Sequence, residues 1–201
     1  MHVVCLDLEG VLVPEIWIEF SKATGLSELM ITTRDEPDYD KLMKYRLDIL
    51  DKNNLKLADI QRVIGRMEPL EGARSFINTT KSLCQVIILS DTFSEFAKPL
   101  MEKLGYPTLF CNSLVIEPSG RVAGYTLRQK DGKKKAVEAL QSLNMKVMAA
   151  GDSYNDLTMI HTANTGALFH APSSIKTAHP EIPAYESYGE LLEHIGVFLQ
   201  N

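Results

Sequence analysis

Carboxylate, hydroxyl and amide side chains follow three separate apolar runs of this 201-residue sequence, HVVCL, QVIIL and KVMAAG. These side chains can bind a phosphate or a metal ion, and they are Asp7 and Glu9, Ser90 and Asp91, and Asp152, Asn155 and Asp156. Carboxylates that converge from distant parts of a chain repel each other unless a cation lies between them. Oxygen ligands favour Mg²⁺ or Ca²⁺ over Zn²⁺, and Mg²⁺ commonly lies beside a phosphate. The residue types therefore indicate a metal and phosphate site.

Each motif alone has a more ordinary explanation, because an Asp, Ser or Asn after a strand is usually a turn residue or a helix N-cap. Three such motifs after three strands are hard to explain as caps. A phosphoryl group also needs a cation on the side away from the metal, and we expect it from the lysine run at 133–135. We select Lys133, although spacing alone does not distinguish it from Lys134 and Lys135, which are expected on a solvated face.

Strand and helix patterns alternate along most of the chain. Strands are predicted at 2–8, 85–90, 107–117, 121–128, 146–152 and 165–171, and helices at 72–83, 93–104, 132–143, 154–163, 173–178 and 188–199. This alternation predicts an α/β fold, a Rossmann-like doubly wound parallel sheet with helices on both faces. Ligands of such sheets bind at the carboxyl ends of the strands, where the three motifs stand.

The interval 15–68 lacks strand signals and contains amphipathic helical patterns. We predict that it forms a small helical cap, inserted into an α/β catalytic core made of residues 1–14 and 69–201. Trp17, Phe20 and Tyr45 can either line the pocket under this cap or pack in the core of the cap, and we expect them to pack.

Composition excludes several classes of protein. The net charge of −5 and the pI of about 5.6 argue against nucleic-acid binding. The N-terminus has neither a signal peptide nor a membrane span, so we expect a cytoplasmic protein with no membrane contact. The three cysteines lie in apolar runs without a C-x-x-C pair and are expected to be reduced.

The four motifs resemble those of the haloacid dehalogenase superfamily of phosphatases and phosphotransferases. They read DLEGVL from Asp7, ILSD ending at Asp91, Lys133, and GDSYND from Gly151. Their order and spacing match the superfamily over essentially the whole chain. Within it, the cap interval, Glu15, Arg46 and the GDSYND form look most like the phosphoserine phosphatases.

Two departures favour one subgroup of these enzymes. Glu9 replaces the usual second Asp, and Asp91 replaces a Gly that commonly follows the Ser. The sequence is in this respect similar to the bifunctional members that also pass the phosphoryl group from phosphoserine to homoserine.

The resemblance implies roles for the acidic residues. Asp7 would be the nucleophile that forms an aspartyl-phosphate, and Glu9 the general acid and then the general base. Mg²⁺ would be held by the Asp7 carboxylate, the backbone carbonyl of Glu9, and Asp152. Asp156 would hold a metal-bound water or orient Lys133.

The resemblance also implies a set of substrate-binding residues, namely Glu15, Arg46, Ser90, Asp91, Lys133 and Asn155. Arg46 can hold an α-carboxylate bidentately, and Glu15 can pair with an α-ammonium group. Either residue could instead be ordinary, since most arginines of charged helices are solvated and an acid at a helix start is favoured by the dipole.

The expected partners are small molecules, L-phosphoserine and also L-homoserine. Two alternatives stay open: a phosphatase of the same fold for a sugar or nucleotide phosphate, and a non-enzymatic phospho-receiver module. The sequence does not decide between water and homoserine as the phosphoryl acceptor, and it leaves a monomer and a homodimer both open.

Overall fold

The computed structural model describes residues 1–33, 35, 36 and 38–200. Its strands are β1 (His2–Leu6), β2 (Gln85–Phe93), β3 (Thr108–Ile116), β4 (Val122–Thr126), β5 (Lys146–Gly151), β6 (Thr165–Phe169) and β7 (Ala184–Tyr185). Its helices are α1 (Ile16–Thr24), α2 (Tyr39–Lys52), α3 (Leu57–Ile64), α4 (Ala73–Leu83), α5 (Ser94–Leu104), α6 (Gly132–Ser142), α7 (Leu157–Thr162), α8 (Ser173–Ala178) and α9 (Tyr188–Gln200). Two short 3-10 helices span Ser27–Met30 and Tyr154–Asp156.

The strands form one sheet in the order β4-β3-β2-β1-β5-β6-β7. All neighbouring pairs are parallel except β3 and β4, which form an antiparallel hairpin at one edge. The predicted α/β fold with a doubly wound parallel sheet is therefore confirmed. The sequence analysis missed β7, because a strand of two residues carries no periodic signal.

Alternating side chains of β1 enter two hydrophobic cores. Val4 and Leu6 pack in the core that α4, α5 and α9 cover, and Val3 and Cys5 pack in the core under α6, α7 and α8. A parallel strand that is buried on both faces reads as a continuous apolar run, and this is why β1 could be recognised from the sequence.

The interval between β1 and α4 contains α1, α2 and α3, as the helical patterns predict. Trp17 and Phe20 are buried as expected. The expectation for Tyr45 is wrong, since its side chain is 41% exposed. Arg46, the next residue of α2, takes the inward position instead and is buried.

Cys5, Cys84 and Cys111 form no disulfide. Within residues 1–33, 35–36 and 38–200, no helix has both the length and the apolarity needed to cross a bilayer.

Candidate active site

Three adjacent strands deliver the predicted motifs to one edge of the sheet. Asp7 follows β1, Ser90 and Asp91 lie in the last part of β2, and Asp152 follows β5. Because β1 pairs with β2 on one side and with β5 on the other, these three strand ends are neighbours. The topology therefore gathers motifs that lie far apart in the sequence.

Three buried carboxylates meet at this edge. Asp7, Asp152 and Asp156 each offer an oxygen atom within 4.8 Å of the others. Burial raises the pKa of Asp7 well above its usual range, and the negative charge of Asp156 adds to the effect while Lys133 opposes it. Lys133 therefore offsets only part of the effect of burial and of the neighbouring negative charges on Asp7.

Lys133 is the lysine that reaches the site. Its Nζ atom lies 2.9 Å from Asp7 Oδ1 and 2.7 Å from Asp156 Oδ1, and 3.6 Å from Asp91 Oδ2. Its burial alone would lower the pKa of Lys133, but the three carboxylates outweigh burial and raise it. Lys134 and Lys135 pair instead with Glu138 at the surface. Of the three lysines that spacing alone did not distinguish, Lys133 is therefore the one that contacts the buried carboxylates.

Asp156 organises the loop after β5 from a fully buried position. Its Oδ2 atom accepts hydrogen bonds from the backbone N–H groups of Asp152 and Ser153 and from the Ser153 hydroxyl, at 2.9 to 3.1 Å. Its Oδ1 atom accepts from Lys133. With four donors on its two oxygens, Asp156 orients Lys133 and the Asp152 loop.

A tight turn brings the backbone after Asp7 close to the side chain of Asp152. The Leu8 N–H donates to Asp7 Oδ1 at 2.7 Å. Gly10 has a positive φ of 76°, and a Cβ atom at this position would lie 2.5 Å from Asp152 Oδ2. Only glycine allows this backbone conformation and this approach together.

Glu9 follows Leu8 in this turn and lies half-buried in an acidic environment. Its Oε2 atom accepts a hydrogen bond from the Ile16 N–H at 2.9 Å. Burial raises the pKa of Glu9 to about 7, with a further contribution from Glu15, while Arg46 and Thr92 partly oppose the rise. At neutral pH this carboxyl group populates both its acid and its base form.

A cavity of about 90 Å³ lies above the acidic cluster. Nine of the ten predicted site residues line this cavity: Asp7, Glu9, Glu15, Arg46, Ser90, Asp91, Lys133, Asp152 and Asn155. The tenth, Asp156, lies behind Lys133 and Asp152. The interval between β1 and α4 supplies part of the wall. The structure thus brings together residues that the sequence analysis assigned to one site.

Arg46 enters this cavity from α2. Its Nη2 atom donates to the Ile31 carbonyl at 2.8 Å, and its guanidinium carbon lies 4.6 Å from the centre of the Trp17 ring. Burial lowers its pKa to about 10, so the group stays cationic at neutral pH. Its buried Nε atom has no hydrogen-bond partner in the described part of the chain. A buried donor of this kind is costly unless a ligand accepts from it.

The sequence analysis missed several contacts across this cavity. The Tyr39 hydroxyl donates to the Asp91 carbonyl at 3.1 Å, and Asn155 Nδ2 lies 3.4 Å from Thr33 Oγ1. Thr92 also lines the cavity. Its position directly after Ser90 and Asp91 is a signal from which the sequence could have predicted this, whereas Tyr39 and Thr33 lie in a stretch with no motif.

The acidic cluster fits a hard divalent cation. Its donors are carboxylate oxygens, and these are the ligands that Mg²⁺ and Ca²⁺ prefer. Asp7 and Asp152 would hold such an ion, since both oxygens of Asp156 are engaged in hydrogen bonds. The part predicted for the Glu9 carbonyl stays a prediction.

Comparisons with known proteins agree with this geometry. A family model described as haloacid dehalogenase-like hydrolase matches residues 1–164. The chain is 56% identical to the phosphoserine phosphatase ThrH of Pseudomonas aeruginosa over 191 aligned residues. The alignment covers 95% of this chain and 93% of that protein. The chain is 54% identical to a phosphoserine phosphatase of Pseudomonas syringae pv. tomato, over 95% of this chain and 81% of that one.

Solved structures share the fold. A substrate-bound phosphoserine phosphatase complex superposes with a TM-score of 0.78 at 19% identity, over 96% of this chain and 97% of that one. A phospho-aspartyl intermediate analogue of phosphoserine phosphatase has the same TM-score and identity, over 96% of this chain and 98% of that one. The chain therefore belongs to the haloacid dehalogenase-like hydrolase family.

Proposed function

We propose that the protein is an Mg²⁺-dependent phosphoserine phosphatase that works through an aspartyl-phosphate, and that it also transfers the phosphoryl group to homoserine. Relatives that are more than half identical carry the name phosphoserine phosphatase. The observation that carries the proposal is the shared cavity, in which Asp7 and Lys133 face Glu15 and Arg46. Lys133 would contact the negatively charged phosphoryl group at one end of the cavity. Glu15 and Arg46 would contact the charged groups of the amino acid at the other end.

In the first step, a carboxylate oxygen of Asp7 attacks the phosphorus of L-phosphoserine, and the bond from phosphorus to the serine oxygen breaks. Glu9 donates a proton to this oxygen, and its pKa of about 7 provides enough of the acid form. Lys133 and Ser90 contact the phosphoryl oxygens, with Lys133 already 2.9 Å from Asp7. The products are L-serine and the aspartyl-phosphate.

In the second step, a hydroxyl group attacks the phosphorus of the aspartyl-phosphate, and Glu9, now ionised, accepts its proton. Water gives inorganic phosphate, and the side-chain hydroxyl of homoserine gives O-phosphohomoserine. Either acceptor regenerates the Asp7 carboxylate. When bound by Asp7 and Asp152, Mg²⁺ supplies positive charge beside the phosphoryl oxygens.

Recognition of the amino-acid part rests on the interval 15–68, which we infer to be a cap over the core of residues 1–14 and 69–201. Arg46 offers the unpaired Nε–H to an α-carboxylate, and a planar guanidinium suits such a partner. Glu15 lines the same cavity and would hold the α-ammonium group. Asn155 and Asp91 complete the proposed substrate contacts.

Transfer to homoserine is supported by Glu9 and Asp91, the two departures from the common motif. Cytoplasmic location and homodimer formation stay predictions from the sequence.

A substrate panel tests the phosphatase. With Mg²⁺, phosphate release from L-phosphoserine should exceed release from glucose 6-phosphate or a nucleoside monophosphate by about 100-fold in kcat/KM, as expected for a site with a charged recognition pair. The Asp7→Asn variant should fold normally and be inactive. A preference for the sugar or nucleotide phosphate would overturn the assignment, and a long-lived phosphoprotein without turnover would favour a receiver.

Phosphorus NMR tests the transfer. A mixture of L-phosphoserine and homoserine should yield the resonance of O-phosphohomoserine beside that of inorganic phosphate. Inorganic phosphate alone, at every homoserine concentration up to saturation, would restrict the enzyme to hydrolysis.

A further inference from the structure

Two histidines and one glutamate form a cluster that does not line the catalytic cavity. His161 lies in the last turn of α7, His179 directly follows α8, and Glu181 comes two residues later. The three side chains offer ligand atoms that all lie within 4.8 Å of one another. This cluster is independent of the acidic site.

The backbone beneath the cluster is well anchored. Ile160 and Ile175 are buried neighbours of the two histidine positions in the core under α6, α7 and α8. The His179 N–H donates to the Ile175 carbonyl at 2.9 Å, and the Ile182 N–H donates to the His179 carbonyl at 3.1 Å. The second of these bonds closes the turn that carries Glu181 beside His179.

The side-chain distances match those around one metal ion. In a tetrahedral site with bonds of about 2.1 Å, neighbouring ligand atoms lie about 3.4 Å apart, and the centres of two imidazole rings about 5–6 Å apart. His179 Nδ1 lies 3.4 Å from Glu181 Oε1. The ring centres of His161 and His179 are 5.6 Å apart, with planes inclined at 59°. Small side-chain rotations of exposed groups would close the remaining gap.

The donor set selects the kind of ion. Two imidazoles and one carboxylate suit Zn²⁺, Ni²⁺ or Cu²⁺, whereas Mg²⁺ prefers oxygen ligands alone. His161 and Glu181 are exposed, so an ion can enter without any rearrangement of the core. Three protein ligands would leave a fourth position of a tetrahedral ion to water.

We propose that His161, His179 and Glu181 bind one divalent first-row transition-metal ion, for which Zn²⁺ is the probe. The ion would join the end of α7 to the turn after α8. Because the unfolded chain does not hold the three groups together, binding would stabilise the folded protein.

Zinc titration of the untagged, metal-free chain tests this site. Saturating Mg²⁺ is added first to occupy the catalytic carboxylates, and Zn²⁺ is then titrated in competition with a chromophoric chelator. We expect one Zn²⁺ per chain, a rise in Tm on binding, and at least a tenfold loss of affinity in His161→Ala and in His179→Ala. Phosphatase activity with Mg²⁺ should be unchanged in both variants.

His170→Ala is the matched control, because His170 is an exposed histidine whose Nε2 atom contacts the Glu186 carbonyl and lies outside the cluster. It should bind Zn²⁺ as the unaltered chain does. Glu181→Gln should also weaken Zn²⁺ binding. Because this substitution has a similar shape and an exposed position, it tests the site even if a histidine variant fails to fold. Equal Zn²⁺ affinity in the unaltered chain and all cluster variants, or no Zn²⁺ bound in the presence of Mg²⁺, would overturn the proposal.

Discussion

Lys133 compensates two buried carboxylates at once, because its Nζ atom lies within 3 Å of both Asp7 and Asp156. Lys133→Met removes the charge and keeps most of the aliphatic stem. Without a divalent cation, we expect the free energy of unfolding to fall by about 3–5 kcal/mol, since uncompensated charges are left in the interior. Urea denaturation in the presence of a chelator measures this loss.

Lys134→Met provides the control, since Lys134 pairs with Glu138 at the surface. Its free energy of unfolding should change by less than about 0.5 kcal/mol. Similar losses in both variants would mean that Lys133 contributes through its stem rather than its charge.

Glu9 is proposed to transfer a proton in both chemical steps. With p-nitrophenyl phosphate as the substrate, the effect of Glu9 on the first step can be measured apart from its effect on the second. The p-nitrophenolate leaving group needs no proton, whereas the attacking water must lose one. Glu9→Gln should therefore release about one p-nitrophenol per chain in a rapid burst, followed by turnover that is slower by about 10²–10⁴-fold. Stopped-flow absorbance measures both phases. Loss of the burst together with the steady-state rate would contradict this role, and Glu9→Asp, which keeps a carboxyl group, should retain part of the turnover.

Arg46 has a buried Nε–H that lacks a partner in the described part of the chain. Arg46→Ala should raise KM for L-phosphoserine about 100-fold, equivalent to about 3 kcal/mol, because a desolvated charge pair is lost. KM for p-nitrophenyl phosphate, which has no carboxylate, should change only a few-fold. Steady-state kinetics on the two substrates provide the comparison, with Arg46→Lys expected to be intermediate because a lysine cannot form the bidentate pair. Equal rises for both substrates would show a general packing role beside Trp17.

At the scale of elements, the β3–β4 hairpin connects the core to the proposed cap. Arg121 donates from Nε and Nη2 to the two oxygens of Asp51 on α2, at 2.8 and 2.6 Å. The Leu57 N–H donates to the Gly120 carbonyl at 3.0 Å. These contacts hold α2 and the start of α3 against the turn of the hairpin, and α2 is the helix that carries Arg46.

Arg121→Ala should loosen this connection. We expect little change in stability, because exposed ion pairs contribute little. KM for L-phosphoserine should rise, and a larger share of the phosphoryl group should reach water than homoserine, since a less closed cap admits solvent. Phosphorus NMR gives the ratio of the two products.

Arg62→Ala is the matched control for this variant. Arg62 pairs with Asp59 within α3 at 3.0 Å and contacts no residue of the hairpin through that pair. Its product ratio should equal that of the unaltered chain. The same shift in both variants would trace the effect to surface charge rather than to the hairpin.

At the scale of the whole molecule, the sequence predicted the sheet and its catalytic edge because both depend on local signals. Buried parallel strands appear as apolar runs, and the polar residues that follow them are placed by topology alone. The inward position of Arg46 follows the helical spacing of Leu42 and Ile49 on α2. The contact from Tyr39 to Asp91 instead depends on how α2 packs on the core, and no local pattern encodes that packing. Lys133 could be selected over its neighbours only once the start of α6 was located.

The central place of β1 in the sheet has a consequence for synthesis of the protein. Its neighbours β2 and β5 leave the ribosome later, and α5, β3, β4 and α6 all emerge between them. A nascent chain therefore carries β1 with one unpaired edge until β5 emerges, and unpaired edges invite association with other chains. No translation product that stops before Asp152 can assemble the acidic cluster, so a metal ion could be captured there only after about three quarters of the 201 residues have been made.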